Sequence, residues 1–410
     1  MIAAVGVPET WIPPLGRLAA MTRHEDVPRP AAAPRLTVFD TSPIVAGSDA
    51  REALNRTVDL ARFAESSGYH RHWVAEHHGM KGVASCATAV VMERIASATS
   101  RIRVGSGAAL LSNHAAVVLA EQFGTLEAFH PGRIDLGLGR ASGGGPGAVE
   151  RVRGGTSPAP FAEQLAELMR YFEPEAVDDP IRAVPAIGNR PPIWLLGSSE
   201  VSARLAASLG LPYSFGHHIN PAGTVAALDV YRSGFRPSRD RDRPRVMVAV
   251  PVIAADTDGR AERLAGPIKA KVVSRSRGTS ILLPSPEDAA TSDWTDEERM
   301  MVDERFAHYV IGSQDTVETG LRTLLDATGA DELAIQAPIH GHADRRRSYE
   351  MVAEIAAGSL TASGHRRTRL SPAGDSTLRT AAGRPRCPAS RRRTGRRWSG
   401  PGGSRLPVGR

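Results

Sequence analysis

Two cysteines, Cys86 and Cys387, are all that this chain of 410 residues contains. They cannot form a disulfide framework, and a reducing compartment suits such a chain. Lysine is nearly as scarce, with only Lys81, Lys269 and Lys271 beside an abundance of arginine. That imbalance, with heavy use of Ala, Gly and Pro, reads as coding bias and not as function. Aromatic residues make up 5% of the chain, so the core has to be built from aliphatic side chains, and 41% hydrophobic residues suffice for a large one. No apolar run approaches the roughly 20 residues of a membrane span. The N-terminal stretch lacks a basic segment followed by a clean apolar core, which argues against a secretory signal. A cytoplasmic protein with no membrane partner is expected.

The net charge of +7 misleads if it is spread over the whole length. Residues 361–410 hold 13 arginines and a single acid, Asp375. Without that tail the remainder carries about −5, an ordinary acidic surface for which no nucleic-acid partner is expected. The tail is rich in Arg, Gly, Pro and Ser and nearly aperiodic, so it is expected to be disordered. An Arg-rich tail can contact nucleic acid, but the reading favoured here is an inert or artefactual extension. Residues 1–34 are set aside as a disordered or non-native extension, with Met21 an alternative start. The folded body is placed at 35–360.

Within that body, strand-like and helix-like segments alternate. Strands are predicted at 36–42 (LTVFDTS), 70–76 (HRHWVAE), 101–107 (RIRVGSG), 133–139 (RIDLGLG), 192–197 (PIWLLG), 212–216 (PYSFG), 245–254 (RVMVAVPVIA) and 332–338 (ELAIQAP). Helices are predicted at 50–67, 84–98, 115–129, 161–172, 201–209, 225–235, 316–328 and 349–357. In the first of these, Leu54, Val58, Ala61 and Phe63–Ala64 recur at helical spacing, and Gly68 punctuates the end. Eight strands with helical crossovers predict an α/β fold, a (β/α)8 TIM-like barrel. Residues 259–311 are too long for a simple loop and are expected to form an insertion, either a lid or a helical excursion.

In such a barrel the site lies at the C-terminal ends of the strands. The second strand runs out into Glu76-His77-His78, where a histidine can act as acid, base or hydrogen-bond donor. The competing readings are a capping histidine or a metal site. Adjacent side chains on an extended strand face opposite ways, so His77 and His78 do not readily share a metal. His70 and His72 share a face, but at the strand's entrance. His217-His218, after the sixth strand, are either contributors or surface residues. Ser106-Gly107-Ala108-Ala109 leaves room for a flat ring to approach the backbone, or simply packs tightly. GLGRASGGGPG (137–147) contains G-x-G, but Pro146 and several glycines separate it from any predicted helix, so a dinucleotide fingerprint is not supported. Arg140 stands at the mouth, where a fixed cation holds phosphate well. Ser198, Ser199 and Ser202 open a helix, whose free N–H groups favour an anion, unless a serine there is only an N-cap.

Taken together, GYHRHWVAEHHG, RIRVGSGAALLSNHA, AEQFGTLEAFHPGRIDLGLGRA, PIWLLGSSEVSARLAASLGLPYSFG and YVIGSQDTVETGL…GADELAIQAPI resemble the bacterial-luciferase-like flavin monooxygenases. The resemblance is closest to single-chain FMN-type members of bacterial secondary metabolism and runs in order from 36 to 357. It implies a luciferase-type barrel that uses reduced FMN and O2 to oxygenate a small organic substrate through a C4a-peroxyflavin. It further implies a separate NAD(P)H:flavin reductase as partner, and a homodimer. His77 matches the active-site histidine beside the flavin. Gly107-Ala108 matches a pair joined by a non-proline cis peptide under the isoalloxazine, with Ser106 beside it. Arg140, Ser198, Ser199 and Ser202 match phosphate-binding positions. Gly139 stands where luciferase has a reactive cysteine, which speaks against light emission but not against flavin chemistry. Three other readings remain: an F420-dependent hydride-transfer enzyme on the same barrel, a non-catalytic flavin-binding accessory protein, and a metallohydrolase.

Overall fold

Short aliphatic strands that are buried on both faces need helices outside and side chains inside, and that is what forms. The computed structural model of the chain describes residues 33–360 apart from 156, 174–179 and 359; the expectations for the rest of 1–34 and for 361–410 fall outside the described residues. The strands are β1 (Arg35–Asp40), β2 (Arg71–Val74), β3 (Arg103–Ser106), β4 (Ala109–Leu110), β5 (Ile134–Gly139), β6 (Ile193–Gly197), β7 (Tyr213–Gly216), β8 (Val246–Ala254), β9 (Val310–Gly312) and β10 (Glu332–Gln336). All pair in parallel in the order β10-β1-β2-β3-β5-β6-β7-β8, and β8 pairs back to β10, so the sheet closes into an eight-stranded TIM-like barrel. The two-residue β4 continues the wall beside β5, and β9 pairs with the far end of β8.

The helices are α1 (Ala50–Ser66), α2 (Thr88–Ala98), α3 (Ala116–Phe129), α4 (Pro146–Val152), α5 (Phe161–Arg170), α6 (Glu200–Ser208), α7 (Thr224–Ser233), α8 (Asp258–Ser276), α9 (Pro286–Ala290), α10 (Asp296–Phe306), α11 (Gln314–Thr328) and α12 (His342–Gly358). Helix α1 shows the logic of the outer layer. Asp49 caps it by accepting from the Glu52 N–H at 2.8 Å. Ala53, Leu60, Ala61 and Ala64 then repeat along the face turned to the sheet.

The inner core is separate from this layer. Trp73, Trp194, Met247 and Ala334 fill the barrel, with Phe39 and Leu196 above them. Trp73 and Trp194 meet edge to face at 5.4 Å. A Cβ on Gly105 would stand 2.5 Å from the Trp73 Nε1, so glycine in β3 is what admits the indole. Beneath the tryptophans, at the strand entrances, Arg71 joins Asp135 and Glu332; Arg103 also reaches Asp135, and Arg245 reaches Glu332 at 3.0 Å. Burial would raise both carboxyls, but these guanidinium groups hold them below their ordinary values. The network seals the end opposite the site.

Three sequence expectations need correction. The Gly-rich segment after β5 does open a helix: α4 starts at Pro146, whose fixed φ suits a first helical position. Strand β2 stops at Val74, so strand alternation does not govern His77 and His78. Helix α12 begins at His342 instead of 349, because its first turns bury Arg345 and Ser348 in place of apolar residues. Arg345 Nη2 reaches the buried Asp40 at 2.7 Å, and the Ser348 hydroxyl accepts from the Ala254 N–H at 2.9 Å. Residues 259–311 form a helical excursion, α8 to α10, closed by β9.

Candidate active site

The exit of β2 is organised around a buried carboxylate. Glu76 accepts from the Leu110 N–H at 3.0 Å, from His78 Nε2 at 2.8 Å, and from His114 Nε2 at 2.9 and 3.0 Å. Burial alone would raise this carboxyl; its contacts to His114, the Leu110 N–H and His78 hold it below the usual range. Asn113 extends the cluster, donating to Ser142 O at 3.2 Å and accepting from Arg153 Nε at 3.1 Å. Glu76 therefore ties together the β2 exit, residues 110–114 and the loop after β5. The glycines of that loop now have a reason. Gly143 has φ +68, and a Cβ there would collide with Leu110 Cδ1 and stand 3.0 Å from Glu76 O. Its carbonyl accepts from the His78 N–H at 2.8 Å.

His77 follows the hub directly. Its N–H donates to Ser85 O at 3.1 Å, while its buried Nδ1 has no hydrogen-bond partner among the described residues. Burial lowers its pKa, opposed by Glu76 and reinforced by the charges of His78, Arg275 and Lys271, so the imidazole is neutral at neutral pH.

At the exit of the neighbouring strand β3 the floor is made of small residues, with Phe39 packed directly against Gly107. The Gly107–Ala108 peptide bond is cis. A Cβ on Gly107 would lie 2.6 Å from Phe39 Cε2, and one on Gly139 would lie 3.0 Å from Ala108 Cβ. The Ser106 hydroxyl is turned away from any ligand: it donates to Gly137 O at 2.8 Å and accepts from Gly137 N at 3.0 Å, locking β3 to β5. His218 packs its ring 6.0 Å from that of Phe39, and burial lowers its pKa. His217 bonds Thr224 Oγ1 at 2.8 Å and meets His308 of the insertion edge to face. Burial, with His308 and His218, brings its pKa to about 4.

Further around the barrel, Arg140 leaves β5 exposed, and none of the described residues pairs with its guanidinium. The next strand delivers the serines. Ser199 is the N-cap of α6, as the structural alternative has it. The Ser202 hydroxyl donates to Ser199 O at 2.7 Å and lies 2.9 Å from the Tyr213 hydroxyl. Asn220 fixes the Ser198 carbonyl at 3.0 Å. Two of the three hydroxyls thus hold the helix start in place, and the anion-binding capacity rests on its first-turn N–H groups, Ser198 and Arg140. The strand order β2-β3-β5-β6 puts His77 on one side of the mouth, Arg140 and the serines on the other, and Gly107–Ala108 between them. A ligand with a phosphate at one end and a flat ring at the other fits this arrangement. Among the described residues, no three His, Cys, Asp or Glu side chains stand together as a metal site, and no helix is long and apolar enough to cross a membrane.

The luciferase-like monooxygenase family profile matches residues 35–332. The chain belongs to this family. Members include the luciferase-like monooxygenase of Escherichia coli K12, 40% identical over 321 residues, which covers 78% of this chain and 96% of that one. The Bacillus subtilis protein YvbT is 46% identical, at 78% and 96% coverage. Among solved structures, apo-MsnO8 superimposes with a TM-score of 0.73 at 37% identity, covering 78% of this chain and 98% of that one. The barrel alone is shared with the FMN complex of the oxygenating constituent of 3,6-diketocamphane monooxygenase (TM-score 0.57, 20% identity, 80% and 99% coverage) and with an F420-dependent secondary alcohol dehydrogenase (TM-score 0.57, 13% identity, 79% and 99% coverage). In this member of the family, sequence reasoning passed over His114 and Asn113. The string SNHA that follows the small residues was their only signal, and nothing local in it points to Glu76.

Proposed function

We propose that the protein is a reduced-flavin monooxygenase that takes FMN from a separate NAD(P)H:flavin reductase and oxygenates a small organic substrate. Reduced FMN supplies the two electrons that activate O2, so that one oxygen atom enters the substrate and the other leaves as water. The observation that carries the reading is His77: a half-buried imidazole at the exit of β2 with an unpartnered Nδ1 and a pKa lowered by burial, next to β3, whose exit forms the small-residue floor at Gly107–Ala108. Arg140, Ser198 and the start of α6 would hold the phosphate, with Ser199 and Ser202 shaping that start. The floor would receive the ring. Neutral His77 can accept a proton at the reacting edge without first losing one to solvent, and can return it from the imidazolium so formed. The insertion would shield the mouth from water.

The test is the reoxidation of photoreduced FMN by O2 in the presence of wild-type protein and of His77→Ala, with the hydrogen peroxide released measured in parallel. Wild type is expected to slow or divide the reoxidation and to hold back peroxide, and the variant to behave much more like free FMN. Reoxidation by wild type identical to that of free FMN would overturn the proposal and turn attention to F420.

A further inference from the structure

Many of the arginines and lysines among the described residues are matched to acids. Lys269 of α8, for instance, pairs with Glu262 at 2.5 Å. Lys271, two residues on, is different. It is half-buried, yet no carboxylate or other hydrogen-bonding group among the described residues partners its ammonium. A Cβ on Gly82 would stand 3.1 Å from its Nζ, 3.5 Å from Ile44 O and 3.5 Å from Leu282 Cδ2. The ammonium thus stands close to Gly82, where the insertion meets the loop that follows His77. That loop is itself fixed: Ile44 N–H donates to Gly82 O at 3.0 Å, and Ala46 N–H to Leu283 O at 2.8 Å.

The charges near Lys271 add to its positive field. Arg275 stands one turn further along α8, is exposed and is also unmatched by an acid among the described residues. Both cations act on His77. Burial lowers the Lys271 pKa, and Arg275 lowers it further. A half-buried ammonium that keeps some access to water, with a second cation beside it, still gains when an anion arrives to form a charge-assisted bond.

The FMN phosphate is not that anion. Its expected cation, Arg140, follows β5 and the serines follow β6, whereas Gly82 follows β2 and β3 lies between. Lys271 and Arg140 are thus separate cationic positions, and each can receive its own anion. We propose that the substrate is an organic carboxylate whose anionic end is received by Lys271 beside Gly82, with Leu282 against its apolar chain. This rests on the monooxygenase reading for the reaction, but the recognition itself needs no flavin chemistry and can be measured without turnover.

Octanoate and its uncharged counterpart octanamide are the probes. Each is titrated into wild type, Lys271→Met and Lys271→Arg by calorimetry. In parallel, the lysines are reductively methylated with ¹³C; with three lysines in the chain, the Lys271 signal is identified by its loss in Lys271→Arg. Octanoate is expected to bind wild type at least ten-fold tighter than octanamide, in line with a charge-assisted bond, and to move the Lys271 resonance. Lys271→Met is expected to erase the preference and Lys271→Arg to keep most of it. Octanoate binding no tighter than the amide, or a preference that survives in Lys271→Met, overturns the inference. FMN binding, followed by fluorescence quenching in the same proteins, separates the two claims. Intact FMN binding without a carboxylate preference sinks the substrate class alone, whereas absent FMN binding sinks the monooxygenase reading.

Discussion

Removing the Glu76 carboxylate should loosen the mouth by an amount that depends on what replaces it. Glu76 makes three short bonds, to the Leu110 N–H, His78 and His114. Hydrogen bonds to charged groups contribute about 1.5–3 kcal/mol each, against about 0.5–1.5 for neutral ones. In Glu76→Gln the amide oxygen can still accept from Leu110, and its NH2 can donate to the imidazoles once their tautomers adjust. The charge assistance of all three bonds is lost, about 1 kcal/mol each and about 3 kcal/mol in all. In Glu76→Ala every bond goes, at about 1.5 kcal/mol or more each, and the Leu110 N–H is left buried and unpaired for about 1 more, so the cost is roughly 5.5 kcal/mol. For a body of this size that is a fall in Tm of about 4 °C for Gln and about 8 °C for Ala. Urea midpoints at constant m-value measure the difference, and amide exchange at Leu110 should accelerate more in the alanine variant. An alanine variant no less stable than the glutamine one, or a Leu110 amide that exchanges as in wild type, would refute the view that Glu76 clamps these loops.

Other consequences are open to measurement. Gly143→Ala is expected to destabilise the protein by about 2 kcal/mol or more, since it combines a left-handed backbone with a Cβ driven into Leu110; a urea midpoint equal to wild type would contradict the close approach. Acid should act in two stages. His77, His217 and His218 have lowered pKa values in the fold, so the unfolded chain binds more protons below about pH 6.5 and stability begins to fall there. Glu76, Asp40, Asp135 and Glu332 are also lowered. Their contribution is complete above about pH 4 and is lost as pH drops below it. Urea midpoints from pH 7.5 to 3.5 should therefore decline gently and then steeply, and a profile that stays level down to pH 4 would remove the histidine part of the argument.

The barrel was legible because each wall strand is an aliphatic run between clear punctuation, from LTVFD to ELAIQ. What escaped was structure whose cause lies elsewhere in the chain. Strands β4 and β9 have two and three residues, too few for any pattern. The first half of α12 hides its core face behind Arg345 and Ser348, which are buried only because Asp40 and the end of β8 supply partners far away in sequence. In the insertion, α10 buries little more than Val302 and Phe306, so its apolar period is faint, although its capping box at Thr295 and Glu298 was there to be read. At the site, the strings around His77, Gly107, Arg140 and Ser198 stood out, but they could not show that Ser106, Ser199 and Ser202 spend their hydroxyls on the protein itself. Nor could they show that His114 reaches Glu76 across 38 positions. Proximity of that kind is a product of closing the barrel.

The way the insertion is seated bears on how it could be re-engineered. Val45 pairs with Leu283 and Ala46 donates to the Leu283 carbonyl, so part of the mooring is main chain, while the buried Leu283 side chain and the His308 ring add side-chain anchors. Exposed positions between 277 and 309 away from those anchors are therefore where new side chains can be grafted with least disturbance to the barrel beneath.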